Sequence, residues 1–197
     1  FSSFVAVDRR GRVAGRIDKS RLMPFGDVVP LRALGFVRAR FPCGTREGER
    51  AHAIDLEGVR IGGLVCFDEV FPDIARARVR EGASLLVSGA NDAWYAGTFE
   101  PALHARVARA RAIETRRDLV RAVNMGEGGL VASTGEVLVR MDGTRPEARL
   151  VRAAPQTKQT IAMWFGPAVA PGFAFVLMLF AASNVISRRR AAAVVAP

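Results

Sequence analysis

The sequence predicts an α/β fold, and three observations predict it. Short apolar runs of strand length recur along the chain, longer segments with helical spacing fall between them, and glycine, proline and charged turns separate the two kinds. Half of the 197 residues are hydrophobic, enough to build a sizeable core.

The elements follow in order. Phe4 to Val7 and the residues after Asp8-Arg9-Arg10-Gly11-Arg12-Val13 read as a hairpin turning at the charged glycine-containing segment. Lys19 to Pro30 is a loop punctuated by Pro24, Gly26 and Pro30. Ala51 to Leu56 and Val59 to Phe67 are strand-like around a Glu57-Gly58 turn. Asp73 to Glu81 reads as a helix, with Pro72 suited to its first turn, Asp73 to its positive end and Gly82 to its stop. Ala83 to Val87 is a buried strand. Pro101 to Arg117 is a longer helix, with Leu103, Val107, Ala110 and Ile113 on one face. Leu119 to Asn124 and Gly129 to Ala132 are further strands, followed by a turn at Thr134-Gly135-Glu136.

The last segment differs in kind. Ala162 to Ile186 carries no charge over roughly 25 residues, enough for a bilayer core of about 30 Å. Arg188-Arg189-Arg190 follows, which by the positive-inside rule places the C-terminus in the cytoplasm and the preceding domain across the membrane. Gly166, Pro167, Pro171 and Gly172 interrupt the run, and a buried core helix is the alternative. The expected layout is a domain over 1–155, a linker at 156–161, a transmembrane helix at 162–187 and a basic tail at 188–197.

The net charge of +10 invites a nucleic-acid reading. The arginines are scattered and no nucleic-acid motif accompanies them, so an arginine-rich proteome, or a surface suited to anionic lipid, explains them better. Two cysteines, Cys43 and Cys66, make neither a disulfide framework nor a zinc site. No metal cluster or phosphate loop is present, and no cofactor is expected. The chain opens at Phe1 as a strand already under way, with no leader, so the natural protein is expected to continue upstream.

Ile61 to Pro72 is the informative stretch: an apolar strand ends in Cys66, a turn follows and a helix begins. Such an elbow exposes a sulfur near backbone N–H groups and a positive helix end, which favour thiolate. By itself the pattern also suits a small buried hydrophobe. Cys43, in Phe41-Pro42-Cys43-Gly44, reads as an incidental loop thiol. His104 reads as a structural hydrogen-bonder, because a general base needs a partner geometry that the sequence does not supply. His52 has no partner that can be named.

Asp18-Lys19-Ser20-Arg21-Leu22-Met23-Pro24-Phe25-Gly26-Asp27-Val28-Val29-Pro30 resembles the Lys-x-x-Leu-Val-Pro-Phe-Gly-Glu-x-x-Pro stretch of apolipoprotein N-acyltransferases, of the nitrilase (carbon–nitrogen hydrolase) superfamily. Cys66-Phe67-Asp68 is similar to that family's Cys-Tyr-Glu. Asn91 to Tyr95, His104, Arg111 to Glu114 and Arg121 to Asn124 continue the match in order, and the hydrophobic tail with Arg188 to Arg190 matches its last membrane helix. The resemblance implies the C-terminal part of a nitrilase-like αββα sandwich followed by one transmembrane helix, on the periplasmic side of a bacterial inner membrane.

It further implies Cys66 as the nucleophile that carries an acyl thioester. Lys19 is implied as the cation that supports oxyanion and thiolate. Asp27, Phe67, Asp68 and Glu69 supply supporting acids and an oxyanion donor, and Trp94 and Tyr95 line an acyl pocket. The implied donor is a phospholipid and the acceptor is the amine of a diacylglyceryl-cysteine lipoprotein. The family's general-base Glu precedes Lys19 and has no counterpart in this sequence, so these residues alone are expected to be inactive. Asp27 and Asp68 stand where the family has Glu, Phe67 where it has Tyr, and Gly126-Glu127-Gly128-Gly129 where it has Gly, an aliphatic residue and Ser or Thr. Two rivals remain: a membrane-tethered amidase using the same residues, and a truncated, inactive relative that binds lipid or a partner.

Overall fold

The structure, a computed structural model, describes residues 1–29, 35–36, 44–48 and 52–195, apart from the side chains of 167, 170, 182 and 184–195. Cys43 therefore lies outside the described residues. The chain divides into two compact units, Phe1–Thr160 and Ile161–Pro197.

In the first unit, β1 (Ser3–Val7) and β2 (Val13–Asp18) form an antiparallel hairpin. The Asp8 carboxylate accepts the N–H groups of Arg10 and Arg12 and closes the turn, where Gly11 takes a φ of 76° that L side chains rarely adopt. A six-stranded sheet follows, in the order β3 (Ile54–Leu56), β4 (Val59–Val65), β5 (Leu85–Asn91), β6 (Leu119–Asn124), β7 (Gly128–Val131) and β8 (Val137–Met141). β4, β5 and β6 run parallel and the outer pairings are antiparallel. Each parallel crossover holds a 3-10 turn and then a helix: Cys66–Val70 with α1 (Pro72–Arg80), and Ala93–Tyr95 with α2 (Glu100–Thr115).

The central strand β4 is covered on both faces. A Cβ on Gly62 would meet Arg78 and Ala83 at 2.9 Å; one on Gly63 would meet Ile17 at 3.0 Å. Successive residues of a strand face opposite ways, so helix α1 packs on one side of β4 and the hairpin on the other, and both approach too closely for a side chain. At the far end of the sheet, the Asp118 carboxylate accepts the N–H groups of Ser133 and Ala154, both at 2.8 Å. Arg117 donates to Ala83 O and Lys158 O, so the segment after β8 is strapped to the amino-terminal end of β6.

Several expectations are corrected. β4 stops at Val65, and Cys66 opens the 3-10 turn. β3 starts only at Ile54. β8, which the turn at 134–136 pairs with β7, was not expected. On α2 the buried face is His104, Ala108, Arg111, Ala112 and Thr115, while Leu103 and Ile113 are nearly half exposed. The small alanines let the helix approach the sheet, and the charged members of that face are paired, His104 with the buried Glu69 and Asp92 and Arg111 with the half-buried Glu114 and the Val70 carbonyl.

The second unit is one helix, α3 (Ile161–Val195). The membrane span expected over 162–187 falls within it, yet among the described residues no helix is long and apolar enough to cross a membrane. The unbroken stretch of described side chains there, 171–181, has a helical length of only about 17 Å, roughly half a bilayer core.

Candidate active site

The site lies at the carboxyl ends of the parallel strands, where α/β sheets usually present ligand-binding residues. β4 delivers Cys66, β5 delivers Asn91 and Asp92, and β6 delivers Asn124. Asn124 donates to Asn91 Oδ1 at 3.0 Å, and Asp92 N–H to Asn124 O at 2.9 Å, so the β5 and β6 ends are tied. Cys66 is a half-buried free thiol with a φ of 52°. A left-handed non-glycine residue is strained by about 1–3 kcal/mol, and here the strain turns the chain sharply from strand into the 3-10 turn. Cys66 is the first residue of that turn, and α1 begins six residues later. Phe67 packs edge-on against Phe71, with ring centroids 5.1 Å apart.

Lys19 follows the last residue of β2. Its backbone N–H donates to Ser2 O and its carbonyl accepts from Gly48 N–H, both at 2.8 Å. Its side chain is buried, and Nζ lies 2.5 Å from Asp27 Oδ2. Asp27 also accepts the Met23 N–H at 2.7 Å, so one carboxylate fixes the ammonium and the turn that brings it there. Asp68 joins this loop to the elbow. Fully buried, it accepts the N–H groups of Ser20 (3.0 Å), Arg21 (2.8 Å) and Val65 (3.2 Å). Burial pushes its pKa up, although these amides and the Arg78 charge oppose that.

Glu69 does not substitute for Asp68; it faces elsewhere. It accepts from Ser88 Oγ and from Arg121 Nε at 3.0 Å. His104 Nε2 is 2.9 Å away, off the N–H line, so that contact is ionic. His104 Nδ1 lies 2.9 Å from Asp92 Oδ1, and Arg121 reaches Asp92 Oδ2 at 3.4 Å. Burial disfavours the His104 cation, but the Asp92 and Glu69 carboxylates outweigh it and push the pKa up to about 10. Burial likewise opposes the Glu69 charge, and His104 and Arg121 reverse it, holding its pKa below the usual range. Asp92, Glu100 and His104 bring possible ligand atoms within 4.8 Å of one another. The imidazolium and Arg121 already neutralise the acids, which makes the trio a poor cation site.

Lys19, Asp27, Cys66, Phe67, Trp94 and Tyr95 all line one cavity of about 840 Å³, with Asp92, Glu100 and His104 on its wall. Trp94 is exposed at the cavity, and the Tyr95 hydroxyl lies 3.6 Å from Met23 Sδ. Asp68 and Glu69 stand behind the wall as supports. The sequence alone marked His104 as a structural hydrogen-bonder, which its contacts with Asp92 and Glu69 match, but Glu69, Asp92 and Arg121 entered only as parts of a resemblance. The signal was Arg121, a charge in the middle of a buried strand, which calls for a buried acid.

The family model for carbon-nitrogen hydrolases matches residues 1–162. Among solved structures, the carbon-nitrogen hydrolase from Helicobacter pylori G27 superposes with a TM-score of 0.54 at 19% identity, over 73% of this chain and 53% of that one, a likeness of fold. The chain belongs to the carbon–nitrogen hydrolase family, with its nitrilase-like α/β fold. Among its sequence relatives are apolipoprotein N-acyltransferases. It is 41% identical over 131 residues to the one from Geobacter metallireducens, covering 64% of this chain and 25% of that protein. It is 31% identical over 167 residues to the one from Allorhizobium ampelinum, covering 80% of this chain and 31% of that protein. The chain thus spans about a quarter to a third of these relatives' length.

Proposed function

We propose that this chain carries the nucleophile and the oxyanion-stabilising cation of an apolipoprotein N-acyltransferase. The observation that supports this most directly is the shared cavity: a strained, half-buried Cys66 and a buried Lys19, its ammonium held by Asp27, open on one space large enough for an acyl chain. The names of the relatives supply acyl transfer to an apolipoprotein amine, and the resemblance supplies the phospholipid donor and the diacylglyceryl-cysteine acceptor. In the first half-reaction Cys66 Sγ attacks the ester carbonyl of a phospholipid. The acyl C–O bond breaks, and the lysophospholipid leaves as an alcohol with the thiol proton. In the second, the amine of a diacylglyceryl-cysteine lipoprotein attacks the thioester; the amide bond forms, the C–S bond breaks, and the amine's proton returns to sulfur. Lys19 and a backbone N–H near Phe67 receive the oxyanion in both steps, since fixed donors act strongly in a dry site. The reaction uses no cofactor.

By the resemblance, the proton passes through a Glu preceding Lys19, so residues 1–197 by themselves are proposed to be inactive. Residues 162–187 are proposed to anchor the enzyme in the inner membrane, with residues 1–155 periplasmic and 188–197 cytoplasmic. No charge lies between Ala162 and Ile186. Phe173, Phe175, Val176, Leu177, Met178, Leu179 and Phe180 are all exposed, covering every side of the helix with apolar surface. Incubation of the full-length enzyme with phospholipid should add one acyl mass to Cys66, labile to hydroxylamine. The adduct should vanish in Cys66→Ala and persist in Cys43→Ala. An adduct that survives Cys66→Ala overturns the assignment, and turnover of small amides without lipid transfer would instead favour a tethered amidase.

A further inference from the structure

Arg78 is the least expected side chain in the core. It lies on the inner face of α1 with Ile74, Ala75 and Val79, at a relative exposure of 0%. A buried guanidinium is costly unless its donors are used, and these reach across to the site. Nε donates to Gly63 O at 3.3 Å and one terminal nitrogen to His52 O at 3.2 Å. The other terminal nitrogen donates to Ser20 Oγ at 2.8 Å and lies 3.5 Å from Asp18 O. Asp18 and Ser20 bracket Lys19. Gly62 makes room for the arginine, since a Cβ there would come within 2.9 Å of the Arg78 Cβ.

The same segment grips the Lys19 turn at two further places. Asp68 binds the N–H groups of Ser20 and Arg21. Arg21 in turn reaches Asp73 at 3.4 Å and lies over the Phe71 ring at 5.0 Å. All three grips come from one short run of chain, Val65 to Arg80, and that run begins at the elbow carrying Cys66. Nucleophile and cation, 47 positions apart in sequence, are therefore indexed to a single rigid piece.

We propose that Arg78, acting through the Ser20 hydroxyl, is a positioning residue that sets the Lys19 ammonium relative to Cys66. The inference rests on the proposed function only in the use made of Lys19; the placement itself can be tested without turnover. The sequence holds two lysines, Lys19 buried and Lys158 exposed, so the second is an internal reference for amine footprinting.

The experiment acetylates the amines of full-length wild type, Ser20→Ala, Arg78→Met and Arg78→Lys, each shown to be folded by circular dichroism, and reads Lys19 against Lys158 by peptide mass spectrometry. Ser20→Ala removes one hydroxyl and keeps the fold testable if Arg78→Met does not fold. Lys19 should be modified roughly tenfold faster relative to Lys158 in Ser20→Ala and Arg78→Met, the factor expected for one lost charge-assisted hydrogen bond, with partial protection restored in Arg78→Lys. In parallel, the rate of iodoacetamide alkylation at Cys66 is followed against pH. It should fall in the same two variants, and Lys19→Met should add nothing further to Arg78→Met, because residues acting as a unit are not additive. Unchanged Lys19 labelling in a folded Ser20→Ala or Arg78→Met overturns the positioning role. Increased labelling with unchanged Cys66 reactivity upholds the positioning role and removes Lys19 from the proposed chemistry.

Discussion

At the scale of single residues, the two Glu-to-Asp departures have different outcomes. Asp68 reaches three backbone amides directly, so the loop comes to the shorter acid. Asp27 still meets Lys19 and also accepts a backbone N–H. Asp27→Asn should leave a buried ammonium without its anion. Removing one partner of a buried pair typically costs about 3–5 kcal/mol. Asp27 keeps some solvent access, so we expect the lower part of that range and a marked loss of acyl transfer. A denaturant titration that shows no change would mean that the ammonium finds water instead. Cys66, Lys19 and Asp27 could be singled out in the sequence through the resemblance, because the stretches that carry it are local, and the structure brings all three to one cavity. Arg78 was not: its spacing from Ile74 marks a core position, but nothing local says where a guanidinium of that reach ends.

At the scale of elements, α2 was placed correctly and turned incorrectly. Periodicity counted only apolar residues, whereas the buried face consists of alanines and paired polar groups. That face gives a direct test. Ala108, fully buried, has no room for growth, so Ala108→Leu should destabilise by about 1–3 kcal/mol through overpacking. Leu103→Ser, on the more open face, should change stability by about 0.5 kcal/mol or less. The reverse order in thermal unfolding would reinstate the apolar face. The elbow was legible as a strand-to-helix junction with a cysteine in it. Its left-handed backbone was not, since cysteine has no preference for that region.

At the scale of the molecule, the buried Glu69–His104–Asp92–Arg121 network makes stability depend on pH. The His104 pKa is about 10 in the fold against about 6.5 in an unfolded chain. A raised pKa means that the folded state holds the proton more tightly. Its contribution is therefore complete below about pH 6.5 and is lost as pH rises through about 10. Wild type should lose more stability between pH 6.5 and 10 than His104→Gln does, measured by unfolding at matched ionic strength. Parallel pH profiles for the two would place the charge elsewhere. For the proposed anchor, alkaline phosphatase fused after residue 197 should stay inactive, and strong activity would reverse the orientation.

The sequence by itself determined the α/β class, the order of strands and helices through residue 132, the loop that carries Lys19 and the cysteine of the elbow. These follow from local composition: periodicity, turn residues and short motifs are all written within a dozen positions. The tertiary structure alone decided which acids meet which bases, which face of α2 is buried, and that Lys19 and Cys66 share one frame. Such pairings join residues tens of positions apart, as with Ser20 and Arg78, and depend on which strands become neighbours. A buried charge announces that it needs a partner, but only the packed sheet determines which partner stands within reach.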